Sequence, residues 1–153
     1  MVESGSDEKQ VIGKLERRAE QQRRAIEKFH QKAAVSQELG KAIQDSWEHV
    51  NSILEQFNSA VESSNWQSVA EISLGIPWIG GVDPRKRSIV AYLPDEDGDP
   101  GTSITLEVDK TVHQNAQRYF EDGRAQKEKA KGARLALDKT EASKEREGSR
   151  ATH

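Results

Sequence analysis

The chain has 153 residues, of which 33% are hydrophobic, 32% charged and 5% aromatic, with no cysteine and a formal net charge of −3. That is little apolar material for a spherical core and suits a long, charged helix pair, while the missing cysteines exclude a disulfide framework, a thiolate zinc site and a cysteine nucleophile. No stretch approaches the roughly 18 apolar residues of a membrane span, and the polar opening Met-Val-Glu-Ser-Gly-Ser-Asp has no signal-peptide apolar region, so the expectation is a soluble, cytoplasmic protein with no membrane partner.

The charge is unevenly spread. Residues 7–32 carry eight Lys/Arg against five Asp/Glu, residues 33–108 four against twelve, and residues 109–153 eleven against eight. Basic outer segments flanking an acidic middle bear on partner choice more than the sum does.

From Ile12 the apolar spacing alternates three and four: Leu15, Ala19, Gln22, Ile26, Phe29, Ala33, Ser36, Gly40, Ile43, Trp47, Val50, Leu54, Phe57, Val61. This is a heptad stripe and predicts an outgoing coiled-coil helix over residues 7–62, roughly 80 Å long at about 1.5 Å per residue. The stripe weakens at Gln22, Ser36 and Gly40, where Val35 and Leu39 lie one position off register and suggest a stutter. No proline precedes Pro77, so nothing forces a break.

Residues 63–108 read as a small α/β cap. Ser63-Ser64-Asn65 ends the first run, and Ser64 with Gln67 has capping-box spacing. Trp66, Val69, Ala70 and Ile72 outline a short amphipathic helix, and Gly75, Pro77, Gly80, Gly81 and Pro84 predict loop. Ser88–Leu93 and Thr102–Val108 predict two strands of a β-hairpin around the acidic turn 94–101. Two strands alone are marginal, so the short helix or the ends of the long helices must cover one face.

A returning helix is predicted over residues 109–147, capped by Asp109 or by Thr111, which has capping-box spacing to Gln114. Its seam runs Val112, Ala116, Tyr119, Gly123, Gln126, Ala130, Ala133, Leu137, Thr140, again three and four apart but with small residues. Large residues on the first helix packed against small ones on the second predict a monomeric hairpin; a homodimer through the first helix is the competing arrangement. The expected fold is therefore α+β but mainly α: a long antiparallel two-helix coiled-coil hairpin with the cap (short helix plus β-hairpin) at its tip. Residues 1–6 and 148–153 are expected to be disordered, and the whole has the look of an arm excised from a larger protein.

Catalytic, cofactor and metal residues are not expected. His30, His49, His113 and His153 have no i,i+3 or i,i+4 partner histidine, and His113 reads as a capping or packing residue. The run Asp95, Glu96, Asp97, Asp99 lacks the spacing and terminal Glu of a calcium loop and reads as a solvated turn. No phosphate-binding glycine loop is present: Gly80-Gly81 is followed by Val-Asp-Pro.

The basic residues are more informative. Arg124, Lys127, Lys131 and Arg134, spaced three, four and three, share one stripe of the second helix. They could track a phosphate backbone or pair with acids of the first helix, as coiled coils commonly do. Lys14, Arg17, Arg18, Arg23, Arg24 and Lys28 are interleaved with Glu16, Glu20 and Glu27, so ion pairs compete with ligand contact. Arg85, Lys86 and Arg87 form the one basic patch of the acidic cap and read equally as a solvated turn or a tip contact. Aromatic interleaving is absent, so any RNA contact would follow shape and charge.

Leu106-Glu-Val-Asp-Lys-Thr-Val-His-Gln-Asn-Ala-Gln-Arg-Tyr-Phe-Glu121 and Gly123-Arg-Ala-Gln-Lys-Glu-Lys-Ala-Lys-Gly-Ala133 together resemble the archaeal NFACT proteins, the RqcH family of ribosome-associated quality control. There an Asn-Ala-x-x-Tyr-aromatic motif opens the returning helix; here it is Asn115, Ala116, Tyr119 and Phe120. Leu15–Gln22, Ile26–Phe29 and Val82-Asp-Pro-Arg85 are similar to the family's outgoing helix and middle region. Gly123 departs from the bulkier residue expected at its seam position. The resemblance implies an arm binding the large ribosomal subunit, with rRNA and a stalk-base protein as partners, in the handling of stalled nascent chains. Contact with tRNA would belong to the N-terminal domain of a parent protein. Spacing and charge make Arg124, Lys127, Lys131, Arg134, Arg85, Lys86 and Arg87 the candidate nucleic-acid contacts, and Asn115, Ala116 and Tyr119 of the motif read as structural residues. The alternative is a structural or chaperone-like coiled coil that binds protein and is unrelated to RNA.

Overall fold

The computed structural model describes residues 2–62 and 66–151. The elements are α1 (Val2–Asp45), α2 (Trp47–Glu62), α3 (Trp66–Leu74), β1 (Ile79–Asp83), β2 (Ser88–Pro94), β3 (Pro100–Glu107) and α4 (Val112–Ala151). The protein is mainly helical, with one small antiparallel sheet, and α1 and α4 pack together. It divides into two compact units, Met1–Val35 with Asp122–His153, and Ser36–Glu121.

In the first unit, Ala19 and Ala33 of α1 and Ala130, Leu137 and Thr140 of α4 are buried. All five lie on the three-four stripes, and the small size of the three alanines lets two helix backbones approach. Arg23 of α1 pairs with Glu141 of α4 across this contact. The seam is not wholly satisfied: Gln22 Oε1 and Gln126 Oε1 are buried with no hydrogen-bond partner among the described residues. Of the two off-register residues, Val35 is 54% exposed, whereas Leu39 is half-buried and packs against the core of the second unit. Neither end is irregular among the described residues. α1 begins at Val2 and α4 runs to Ala151, because extending an existing helix through polar residues avoids the cost of nucleation.

The second unit holds the main core. Ile43, Val50, Ile53, Leu54 and Phe57 from the helices meet Val69 of α3, Ile89, Ala91 and Leu93 of β2, and Ile104 and Leu106 of β3. Val108, Val112 and Ala116 close the cluster. The outgoing helix is not continuous here. It is interrupted at Ser46, although Ser46 N–H still bonds Ala42 O and Val50 N–H bonds Ser46 O, both at 3.0 Å. Trp47, assigned to the seam by spacing, is instead 51% exposed beside Pro94 at the end of β2. The helix now has to cover a sheet rather than a single helix, so Ile53 joins Leu54 in the core and the buried face widens. Packing by size is also reversed at one point: Gly40 of α1 receives the Phe120 ring of α4, with only 2.9 Å from an ideal Cβ to Phe120 Cε1.

The sheet is a meander, β1-β2-β3, rather than a two-stranded hairpin. Ile79–Asp83, predicted as loop from its glycines, forms β1 and pairs Gly81 with Val90 and Asp83 with Ser88. Gly80 supplies the irregularity between Ile79 and Gly81 and lies against the Tyr92 side chain, 2.6 Å from an ideal Cβ to Tyr92 Oη. The glycine is thus a packing requirement of a strand. His49 of α2 ties onto the sheet through Tyr92 O at 3.0 Å and stacks edge-on against Trp78. Ser63–Asn65, with the expected cap at Ser64 and the helix end, lies outside the described residues, as does the Val61 side chain.

α4 opens as its capping residues predict. Thr111 Oγ1 accepts the Gln114 N–H at 3.1 Å, and Gln114 Oε1 accepts the Thr111 N–H at 3.0 Å, a reciprocal capping box. Of the two candidates for the cap, Thr111 is the one used.

Candidate nucleic-acid interface

Arg124, Lys127, Lys131 and Arg134 are all exposed on α4 in the first unit. The burial of Gly123, Ala130 and Leu137 turns the adjacent stripe outward. Lys131 pairs with Glu128 at 3.2 Å and Arg134 with Asp138 at 3.6 Å, both on the same helix. These side chains remain 74% and 68% exposed, and exposed i,i+3 and i,i+4 pairs are worth only a few tenths of a kcal/mol. Asp138 is a local acid that the spacing of the cations alone does not single out. Among the described residues none of the four forms an ion pair with α1. The stripe is therefore not consumed in holding the helices together.

The basic residues of α1 behave differently. Glu20 binds Arg23 at 3.5 Å and Arg24 at 3.1 Å, and Arg23 also reaches Glu141. This cluster is in part a structural ion-pair set.

Arg85, Lys86 and Arg87 belong to the second unit and form most of the tight turn between β1 and β2. Asp83 Oδ1 accepts the N–H groups of Arg85 and Lys86 at 3.1 and 3.4 Å, an Asx-type turn. Arg87 has φ 50°, a left-handed conformation that non-glycine residues rarely adopt. Its carbonyl accepts Val108 N–H at 2.9 Å. All three side chains project into solvent.

Asn115 and Tyr119 act on β3. Asn115, 1% exposed, accepts Glu107 N–H through Oδ1 and donates through Nδ2 to the carbonyls of Glu107 and Thr111. The Tyr119 hydroxyl accepts Thr105 N–H at 2.8 Å and donates to Thr105 O at 3.2 Å. Val108 N–H bonds Arg87 O on the β2 side, so the intervening groups of Thr105 and Glu107 point away from β2. Two side chains one helical turn apart thus occupy the outer edge of β3 in place of a strand. Ala116, fully buried between them, packs in the core.

Arg118 was not singled out by sequence, yet it completes this joint. It donates to Thr105 O, pairs with Glu107 at 3.1 Å and lies 5.6 Å from the Tyr119 ring centroid. A signal existed in the Arg118-Tyr119 dipeptide, but its partners lie on a strand, eleven to fourteen residues away. Beside it Lys110, His113, Gln117 and Glu121 line a polar recess of about 320 Å³. His113 is exposed there rather than packed.

The acidic turn is closed by its own side chain: Asp95 Oδ1 accepts the N–H groups of Asp97 and Asp99, both at 2.9 Å. Among the described residues, no group of three His, Asp or Glu side chains is placed to hold a metal ion, and no helix is long and apolar enough to cross a membrane. No protein-family model matches the chain, and no curated protein matches it.

Proposed function

We propose that the chain is a non-catalytic binding arm whose Arg124, Lys127, Lys131 and Arg134 stripe contacts the phosphate backbone of RNA. The observation that carries this is the orientation of the four cations, exposed on one face of α4 with only weak intrahelical acids for company. The antiparallel coiled coil belongs to the same proposal: α1 and α4 joined along Ala19, Ala33, Ala130 and Leu137 make a stiff support for such a stripe. The likeness of residues 106–133 to the NFACT and RqcH arms names the RNA as that of the large ribosomal subunit, with a stalk-base protein nearby and a cytoplasmic setting. Arg85, Lys86 and Arg87 are a second place for such contact, and tRNA would be met only through a parent protein.

The test is sedimentation with purified large ribosomal subunits. Association is expected to fall steeply with salt, with a log–log slope on the order of −3 for four phosphate contacts. Changing all four residues to Glu is expected to abolish it. Association that survives both treatments favours the alternative, a protein-binding coiled coil.

A further inference from the structure

The two edges of the sheet are treated differently. At β3 the outward N–H and C=O groups of Thr105 and Glu107 are occupied by Tyr119 and Asn115. At β1 the pairs Gly81–Val90 and Asp83–Ser88 use the inward groups, so Val82 turns its N–H and C=O away from β2. No described side chain plugs them. Open strand edges usually carry a device against pairing with other chains. Here the β3 edge is plugged by side chains, while β1, short and irregular at Gly80, still presents the Val82 groups outward.

Beside the open edge lies a groove of about 660 Å³ between α3 and β1. Ala70, Leu74, Ile76, Ile79 and Val82 line it, and Glu71 is the one acidic or basic residue among its described lining residues. Leu74 at its rim is 89% exposed, an unusual place for leucine on an otherwise highly charged surface.

We propose that β1 takes up an extended peptide of a protein partner as a fourth strand, with alternate aliphatic side chains in the groove and a Lys or Arg opposite Glu71. Each part of this occupant answers a feature of the site. The backbone groups of Val82 suit an extended main chain, which presents a donor and an acceptor together in strand register. The aliphatic lining selects every second side chain. The lone carboxylate selects a cation. The site lies on α3 and β1 and does not involve the α4 stripe, so it stands whether or not that stripe binds RNA.

The probe is a pool of capped octapeptides with Thr at every second position and Val, Ile or Leu and one Lys at the others, so that the Lys shares the groove-facing side, beside a matched pool with Glu in place of Lys. The full chain is expected to retain the lysine pool in preference to the glutamate pool, and loading should slow hydrogen exchange at the Val82 amide. Val82→Pro removes the outward N–H, a change that edge strands accept, together with a valine side chain that lines the groove and packs on the core, and is expected to weaken retention about tenfold. Leu74→Lys, at a side chain with almost no packing to lose, is expected to do the same and serves if the proline variant does not fold. Failure to retain the lysine pool, equal retention of the two pools, or retention undiminished in the folded variants overturns the proposal.

Discussion

Asn115 holds both polar groups of the Glu107 main chain: Oδ1 accepts the N–H at 2.8 Å and Nδ2 donates to the C=O at 3.1 Å. The same Nδ2 reaches Thr111 O at 2.9 Å, in the first turn of α4. One amide thereby joins the edge of the sheet to the start of a helix. No apolar residue of similar size can replace it, because the Glu107 groups would be left buried without partners. Asn115→Ala is expected to destabilise the protein by about 3 kcal/mol, the sum of lost bonds and stranded backbone groups. Urea unfolding followed by circular dichroism measures this, and a loss under about 0.5 kcal/mol would contradict the role.

Phe120 occupies the space that Gly40 leaves open on α1, and an ideal Cβ at residue 40 would stand 2.9 Å from the ring. Valine is a better helix former than glycine by a few tenths of a kcal/mol, yet Gly40→Val is expected to destabilise by about 1–3 kcal/mol through overpacking. In a Phe120→Ala background the same change should be neutral or favourable. A double-mutant cycle reads the coupling directly; additive effects would show that the ring is not what limits residue 40.

These two joints mark the boundary of what the sequence displays. Three-four spacing reveals the buried positions Ala19, Ala33, Ile43, Val50, Ala130 and Leu137 because helix period and burial are local properties. β-branched and aromatic content reveals β2 and alternation reveals most of β3 for the same reason, and Thr111 with Gln114 reveals the start of α4. β1 stays hidden because Gly80 and Gly81 look like chain breakers until the neighbouring Tyr92 side chain is seen. Trp47 is misplaced because spacing cannot tell whether a helix faces one helix or a sheet. The exposed stripe Arg124–Arg134 is legible as a surface pattern, but the contacts of Tyr119 and Arg118 with Thr105 depend on a tertiary fit between helix and strand.

Arg87 combines a strained backbone, φ 50°, with an exposed cationic side chain. Glycine adopts this conformation without a Cβ clash. Arg87→Gly is therefore expected to raise stability by up to about 1 kcal/mol, after allowance for the greater freedom of glycine in the unfolded chain. If the β1–β2 turn touches RNA, the same substitution lowers association with large subunits. Thermal unfolding and subunit sedimentation on one variant then move in opposite directions, as expected where strain is retained for function. A variant that is no more stable than the parent would remove the strain argument.

Gln126 lies on the α4 seam between the buried residues Gly123 and Ala130, and its Oε1 has no partner among the described residues. Gln22 has the same problem on α1. A buried amide oxygen without a donor costs about 1–3 kcal/mol, so Gln126→Leu is expected to raise the unfolding free energy by about 1–2 kcal/mol. Polar residues at such positions can be kept because they restrict register and partner number at the expense of stability. The double variant Gln22→Leu/Gln126→Leu should therefore be the most stable but also the most prone to self-association. Chemical unfolding gives the first quantity, and size-exclusion chromatography with light scattering gives the second, against the 17.1 kDa of one chain. Greater stability with an unchanged mass would assign the glutamines no part in specificity; lower stability would mean that their amides find partners in solution.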